Sequence, residues 1–355
     1  MNRKAISTHS WVVRIIIISS FLSAVPVSSQ VGITGGKGLL RIYDAQTVFT
    51  GNLLINPVYL GYITTEDAAG TLEEEKQNSY EDHTLSLGLT LGVFKNLELF
   101  TQFVPYQDDQ NHVWGPLGDT KVGLKYQISG SASVFQLGVL AFASFATAPT
   151  ANIRFEPYNS GENGWGTLLL FNLDFKNSSA AFPLKFSFNA GYRDHNWNDR
   201  YFHAEIDQFI GGIALKFPIR SSLLYSELSG EVFFNNPSIA FEYNSLRYTQ
   251  GFRFMGPANL IVDLAVDVGL HKKADKKVKT HTPLIKDYAE WKAIVGVTYS
   301  TTLFKYLTPA EKVQKQTEEE EKRKLEEIRK KRKQVAKELE EMRKNLEKKE
   351  QKEPQ

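Results

Sequence analysis

Between Thr47 and Phe304 the apolar residues fall at every second position, segment after segment, and only an extended strand turns that spacing into one continuous face. In "HTLSLGLTLGVF" one side carries Leu85, Leu87, Leu89, Leu91 and Val93, and the other carries Thr84, Ser86, Gly88, Thr90 and Gly92. "LKFSFNAGYR" sets Leu184, Phe186, Phe188, Ala190 and Tyr192 against Lys185, Ser187, Asn189, Gly191 and Arg193. "LIVDLAVDVGL" sets Leu260, Val262, Leu264, Val266 and Val268 against Asp263, Ala265, Asp267 and Gly269. A soluble sandwich alternates in the same way, so period alone leaves the class open.

Length and connection decide between them. The alternating runs last about 10–14 residues, longer than the usual soluble strand and matched to a tilted membrane-crossing one. Short connections (Lys95–Asn96, Ser129–Ser133, Asn177–Pro183, Pro218–Ser222, Gly256–Asn259) alternate with long polar ones (Thr64–Asp82, Gln107–Leu117, Ala148–Asn163, Asn196–Phe202, Asn235–Ser245, Lys272–Tyr288). Short turns on one side and long loops on the other are the pattern of a transmembrane barrel, which must close because no strand edge can stay unpaired in lipid. The expected fold is therefore all-β: an antiparallel transmembrane β-barrel of about twelve strands, with roughly ten to fourteen allowed by the pattern, over residues 47–304. The first strand is expected to be interrupted by Pro57. Trp165, Phe175, Phe182, Tyr192, Phe217, Phe234, Phe254, Trp291 and Tyr299 gather near strand ends, as interfacial aromatic girdles do. "VFQLGVLAFASFATA" is the most helix-like apolar run, but it is short, contains Gln136 and ends at Pro149.

With the apolar set facing lipid, the opposite set faces the lumen. The candidate lumen-lining residues are Glu98, Lys121, Lys125, Asp174, Lys185, Arg193, Lys216, Glu227, Glu231, Arg247, Arg253, Asp263, Asp267 and Lys292. Their signs are mixed. Consecutive strands set Glu227 and Glu231 beside Arg247 and Arg253, and those beside Asp263 and Asp267. Two readings follow: an ion-pair ladder that holds the wall together, and a polar constriction that selects solutes.

The ends differ from the middle. Arg3, Lys4 and Arg14 precede the apolar "IIIISSFLSAV", and "VSSQ" offers small residues for cleavage after Ser29, so residues 1–29 read as a signal peptide. Residues 30–46 read as a periplasmic N-terminal segment, and whether it enters the lumen is left open by the sequence. After Leu307, "TPAE" is a capping box with Pro309 at the first helical position. From there to Lys352 the chain holds no Gly or Pro and is dense in Glu and Lys, with spaced pairs such as Glu320–Lys324 and Glu340–Lys344. A long charged α-helix of roughly 40 residues, about 60 Å at 1.5 Å per residue, is expected within residues 308–352. Leu325, Ile328, Val335, Leu339, Met342 and Leu346 form an a/d seam, with Arg332 at one a position. That seam is a candidate coiled coil or partner-docking face, and a solvated single helix is the alternative.

Little chemistry is expected. With no cysteine, thiolate metal sites and Cys nucleophiles are excluded. A net charge of +2 gives no case for nucleic acid. "GITGGKG" lacks the spacer and the Ser/Thr of a phosphate loop, and reads instead as a flexible segment after the signal. "RDHNWNDRYFHAE" crowds His195 and His203 with Asp194, Asp199 and Glu205 at no known metal spacing. No catalytic residue, cofactor or metal is assigned.

"GDTKVGLKYQI" (Gly118–Ile128) is similar to a strand of transporter-like barrels of the phenol-degradation pathway type, and "GGKGLLRIYDA" (Gly35–Ala45) resembles the opening of many bacterial outer-membrane barrels. The resemblance implies a non-enzymatic porin-like protein in the outer membrane of a Gram-negative-type bacterium. Its partners are then outer-membrane lipid, small polar solutes passing passively, and a periplasmic protein or cell wall met by the C-terminal helix. Alternatives are a structural barrel that anchors that helix, and a hydrolase with its site at the barrel rim.

Overall fold

The computed structural model describes residues 31–67, 77–107, 117–130, 133–148, 161–178, 182–196, 207–236, 239–272 and 289–304. Its strands are β1 (Asn52–Asp67), β2 (Gln77–Phe94), β3 (Leu97–Gln107), β4 (Thr120–Gln127), β5 (Phe135–Phe145), β6 (Gly164–Asp174), β7 (Lys185–Asp194), β8 (Gln208–Ile219), β9 (Ser222–Phe233), β10 (Ser245–Met255), β11 (Leu260–Gly269) and β12 (Trp291–Thr302). Each strand pairs with its sequence neighbours, and β1 pairs antiparallel with β12 from Asn52↔Thr302 to Ile63↔Trp291, closing a barrel of twelve strands. Among the described residues the helical elements are two three-residue 3-10 turns, Phe175–Asn177 and Phe241–Tyr243. The signal peptide over 1–29, the charged helix over 308–352 and its seam lie outside the described residues.

Two local expectations need correction. The loop expected over Thr64–Asp82 is strand at both ends, because β1 and β2 stay paired out to Asp67↔Gln77. Nor does Pro57 break β1. It lacks an N–H, and the β1–β12 ladder skips Asn56 and Pro57, yet the register is unchanged on either side, from Ile55↔Tyr299 to Val58↔Gly296. Asn56 meets β12 through its side chain instead, accepting from Thr298 Oγ1 at 2.9 Å.

The alternation resolves into two surfaces. Leu85, Leu124, Leu169, Ile213, Leu228, Leu264, Val266 and Val295 point outward and are exposed. Aromatic side chains flank this band. Phe94, Tyr126, Phe135, Phe182, Phe217, Phe254 and Tyr299 stand near the short-turn ends, and Phe145, Trp165, Phe209, Phe234, Tyr248 and Trp291 near the long-loop ends. Neighbouring rings touch along each belt, as Phe182–Phe217 do at 6.4 Å and Phe209–Phe234 at 4.5 Å between centroids.

The inner surface is not bare. Residues 31–48 lie inside the barrel, where the sequence suggests a segment on the periplasmic side. Ile33, Leu39, Leu40 and Ile42 are buried against inward apolar residues of the wall, among them Val58, Leu60, Ala214, Leu223, Tyr225, Ala265 and Ile294. The wall has inward glycines where the segment comes closest. A Cβ at Gly88 would stand 3.3 Å from Gly35, and one at Gly138 would stand 2.9 Å from the Ala45 carbonyl oxygen. These small inner residues leave the space that the segment occupies.

Two substitutions separate the surfaces. Leu264→Arg should impair folding into lipid vesicles by about 2–4 kcal/mol, measured by urea titration, because it places charge on the outward band near mid-strand. Ser86→Arg should leave the barrel inserting but expel the segment, since Ser86 Oγ donates to the Ile33 carbonyl at 3.0 Å. Trypsin cleavage after Lys37 or Arg41 would report the expulsion.

Candidate functional site: the filled lumen

A segment led through a barrel has no strand partner for most of its backbone, so its N–H and C=O groups need side chains. The wall supplies them from nearly every direction. Gly36 N donates to Thr90 Oγ1 at 2.8 Å, Lys37 N to Glu98 Oε1 at 2.7 Å, Val48 N to Glu98 Oε2 at 2.8 Å and Thr47 N to Gln127 Oε1 at 3.1 Å. Tyr43 N donates to Asn189 Oδ1 at 2.6 Å while Asn189 Nδ2 returns a bond to the Tyr43 carbonyl at 3.0 Å. Asn56, Lys125 and Arg253 donate to the carbonyls of Gly32, Lys37 and Gly38. The turn at Gly35 and Gly36 is left-handed, with φ of 79° and 78°, which a side chain would strain.

The charged wall residues form islands around this segment. Glu98 pairs with Lys125 at 3.0 Å, both fully buried, one residue and two residues from the short-turn ends of their strands. Asp44, from the segment, is held by Lys185 at 2.8 Å and Lys216 at 3.2 Å, and accepts from Asn172. Burial alone would raise its carboxyl, but the ammonium groups of Lys185, Lys216 and Lys37 outweigh that and hold it well below the usual carboxylate range. Arg41 reaches Asp267 at 2.5 Å, and Arg247 shares that carboxylate at 3.5 Å. Arg253 binds Asp263 through Nε at 2.7 Å, and Tyr225 donates its hydroxyl to the same carboxylate at 2.6 Å.

The fourteen lumen candidates of the sequence thus have distinct places. Lys292 stands opposite Asp267 in the β11–β12 register. Glu227, which alternation sets beside arginines, faces Thr249 across the ladder and accepts from Arg41 N and Ile42 N at 3.1 and 3.3 Å. Its partner is the segment, not the wall. Lys121, Arg193, Glu231 and Arg247 gather near the long-loop ends of β4, β7, β9 and β10 around a cavity of about 130 Å³. Asp174 stands opposite Lys185 in the β6–β7 register, at the short-turn end of β6, and its side chain caps the turn at Lys176 N. Residues outside the candidate set matter as much: Arg41, Tyr43 and Asp44 of the segment, and Asn172, Asn189 and Gln127 of the wall. The sequence signal was there, for Ile33, Leu39, Leu40 and Ile42 are too apolar for a segment left in water.

Two chemical readings lose their basis. The amides of Gly36 and Lys37, which a phosphate loop would offer to a nucleotide, are spent on Thr90 and Glu98, and the stretch is a packed part of the lumen rather than a flexible leader. His195, a candidate for a rim hydrolase, is buried and shares a hydrogen bond between its Nε2 and Gln208 Oε1 at 2.7 Å. His203 lies outside the described residues.

No protein-family model and no curated protein sequence matches the chain. Among solved structures it is similar to the KdgM porin, at 9% identity over 69% of this chain and 99% of that one, with a TM-score of 0.42. An outer-membrane channel from Pseudomonas putida matches at 12% identity, 73% and 98% coverage and a TM-score of 0.46. The Pseudomonas putida toluene transporter TodX matches at 9%, 79% and 100%, and 0.39.

The Asp44 island makes a test. Asp44→Ala leaves Lys185 and Lys216 facing each other in the interior, and should weaken docking of the segment by about 3–5 kcal/mol. Hydrogen exchange at residues 31–47 should rise while the strands stay protected. Because the Asp44 carboxyl is depressed when docked, its contribution is complete above its ordinary value of 3.8 and is lost only as pH falls through the lower docked value. The protection lost on Asp44→Ala, corrected for the intrinsic pH dependence of exchange, should therefore be constant through mildly acidic pH.

Proposed function

We propose that the chain is an outer-membrane channel for small polar solutes whose lumen is stoppered by its own N-terminal segment. The observation that carries the reading is the way the segment is held. Its contacts with the wall are apolar packing and hydrogen bonds and ion pairs to side chains, without a backbone ladder, so it can leave without unzipping a strand. The outward apolar band, the two aromatic belts and the closed ladder support a membrane location, since lipid tolerates a sheet only when no edge is left. The mixed charge of the inner wall supports polar cargo.

A barrel that serves only as a structural anchor is the second reading, favoured by the filled lumen. Deletion of residues 31–46 separates the two. In planar bilayers the full chain should show small or rare conductance steps, and the deletion variant should show discrete steps several-fold larger. A deletion variant that folds, by circular dichroism, yet stays silent would leave the anchor reading standing.

Sidedness is part of the same proposal. The ends of β1 and β12 meet at the short-turn end, which in such barrels faces the periplasm. With cleavage after Ser29, the stopper is the start of the mature chain, and residues 308–352 form a periplasmic helix whose seam meets a protein or the cell wall. An epitope placed after Lys352 should be hidden from antibody on intact cells and reachable after permeabilisation. Labelling of intact cells would invert the topology.

A further inference from the structure

The lumen is not filled from end to end. Ile33, Thr34, Leu40, Arg41 and Tyr43 of the segment floor the cavity already described, and its walls are inward residues near the long-loop ends of the strands. At about 130 Å³ it has about ten times the room that one water requires. Its lining is divided. Phe100, Phe142, Leu168 and Ile210 make one side apolar. Arg41, Lys121, Arg193 and Arg247 bring four cations, against a single lining anion, Glu231.

The surrounding charges reduce but do not cancel that excess. Asp267 is shared by Arg41 and Arg247. Asp119 lies close enough to interact with Lys121 and Arg193. Counted with Glu231, with Glu227 beside Arg41 and with Lys292 beside Asp267, four carboxylates face five cations.

Arg193 has a donor that this arrangement leaves unmatched. It is 6% exposed, and its buried Nε has no hydrogen-bond partner. A guanidinium donor buried without an acceptor costs stability, so such a group in a cavity marks a place prepared for an anion. Across its ladders Arg193 faces Gly166 and the buried Gln208. A Cβ at Gly166 would collide with the Phe142 ring, so that ring covers the glycine opposite Arg193, and Phe142 and Arg193 both line the cavity.

We propose that this cavity is a binding site for a small organic carboxylate, with its acid group on Arg193 and its apolar part against Phe100, Phe142 and Ile210. A pocket that is mainly apolar with a few convergent polar groups is the usual form of a site for such a molecule. The site deepens the channel reading, on which it rests, by giving the solute a charge and a shape: an acid meets Arg193 before it meets the stopper.

The test is calorimetric titration of the full chain, folded in detergent micelles, with benzoate and with its neutral isostere benzamide. Benzoate should bind saturably, and benzamide at least about tenfold more weakly, because it lacks the charge that strengthens the hydrogen bond. R193Q should weaken benzoate by about tenfold and leave benzamide unchanged. Should R193Q fail to fold by circular dichroism, K121Q serves in its place, with a smaller loss for benzoate alone. Equal binding of the two ligands, no saturable benzoate heat, or a folded R193Q (or, in its place, K121Q) that binds benzoate as the wild type does would overturn the site. A barrel that conducts in bilayers but fails here keeps the channel reading and loses the site; one that binds benzoate but never conducts does the reverse.

Discussion

The structure depends on an exchange of hydrogen bonds across the lumen wall. A closed barrel satisfies its own backbone through the ladder, but the inward polar side chains are left over, and so is the backbone of any segment placed among them. Here each answers the other. Glu98 accepts from Lys37 N and Val48 N, Glu227 from Arg41 N and Ile42 N, and Asn189 both accepts from and donates to Tyr43. Without the segment, Glu227 would be left to water, its nearest arginines taken by Asp263 and Asp267. Without Glu98 and Glu227, the segment's amides would be orphaned in a space that admits little water. The cost of an unmade bond in such surroundings exceeds the worth of a made one, which is why the segment's amides are met by wall side chains.

The architecture was legible because its signal is periodic and repeated. Faces such as Leu85–Val93 and Leu260–Val268 come from a period of two that no helix imitates, and the alternation of short and long connections gave both the count and the closure. Burial follows the same parity through β9, where Leu223, Tyr225, Glu227 and Ser229 face inward. The error at Pro57 came from treating a missing N–H as a break, when one ladder can lose a bond while the other carries the register. The strands' extension to Asp67 and Gln77 was hidden because the stretch from Thr64 to Asp82 is polar enough to read as loop.

The lumen was legible only in part, for a different reason. Parity says which side chains face inward but not what they meet. Glu227 and Arg253 were assigned to the same face correctly in spacing, yet one serves the segment's main chain and the other a carboxylate across its own ladder. The pairing of Arg253 with Asp263 was legible from the register, but Glu227's choice depends on a stretch more than 180 residues away in sequence, and no local pattern records such a distance. What the sequence did contain was a misfit: four large aliphatic residues, Ile33, Leu39, Leu40 and Ile42, in a segment with no strand pattern of its own.

The way the segment is gripped has a consequence for the order of assembly. Its partners are drawn from β1 at Asn56 through β11 at Asp267, so they do not exist as a set until the sheet has curled round and β1 has met β12. Contacts at separations of 185 and 226 residues return nothing until the loops between them have closed. The residues that precede every strand in the chain are therefore among the last to acquire their native neighbours, and a nascent barrel must pass through a stage in which its bore is open, its carboxylates are wet, and its leading end has yet to turn inward.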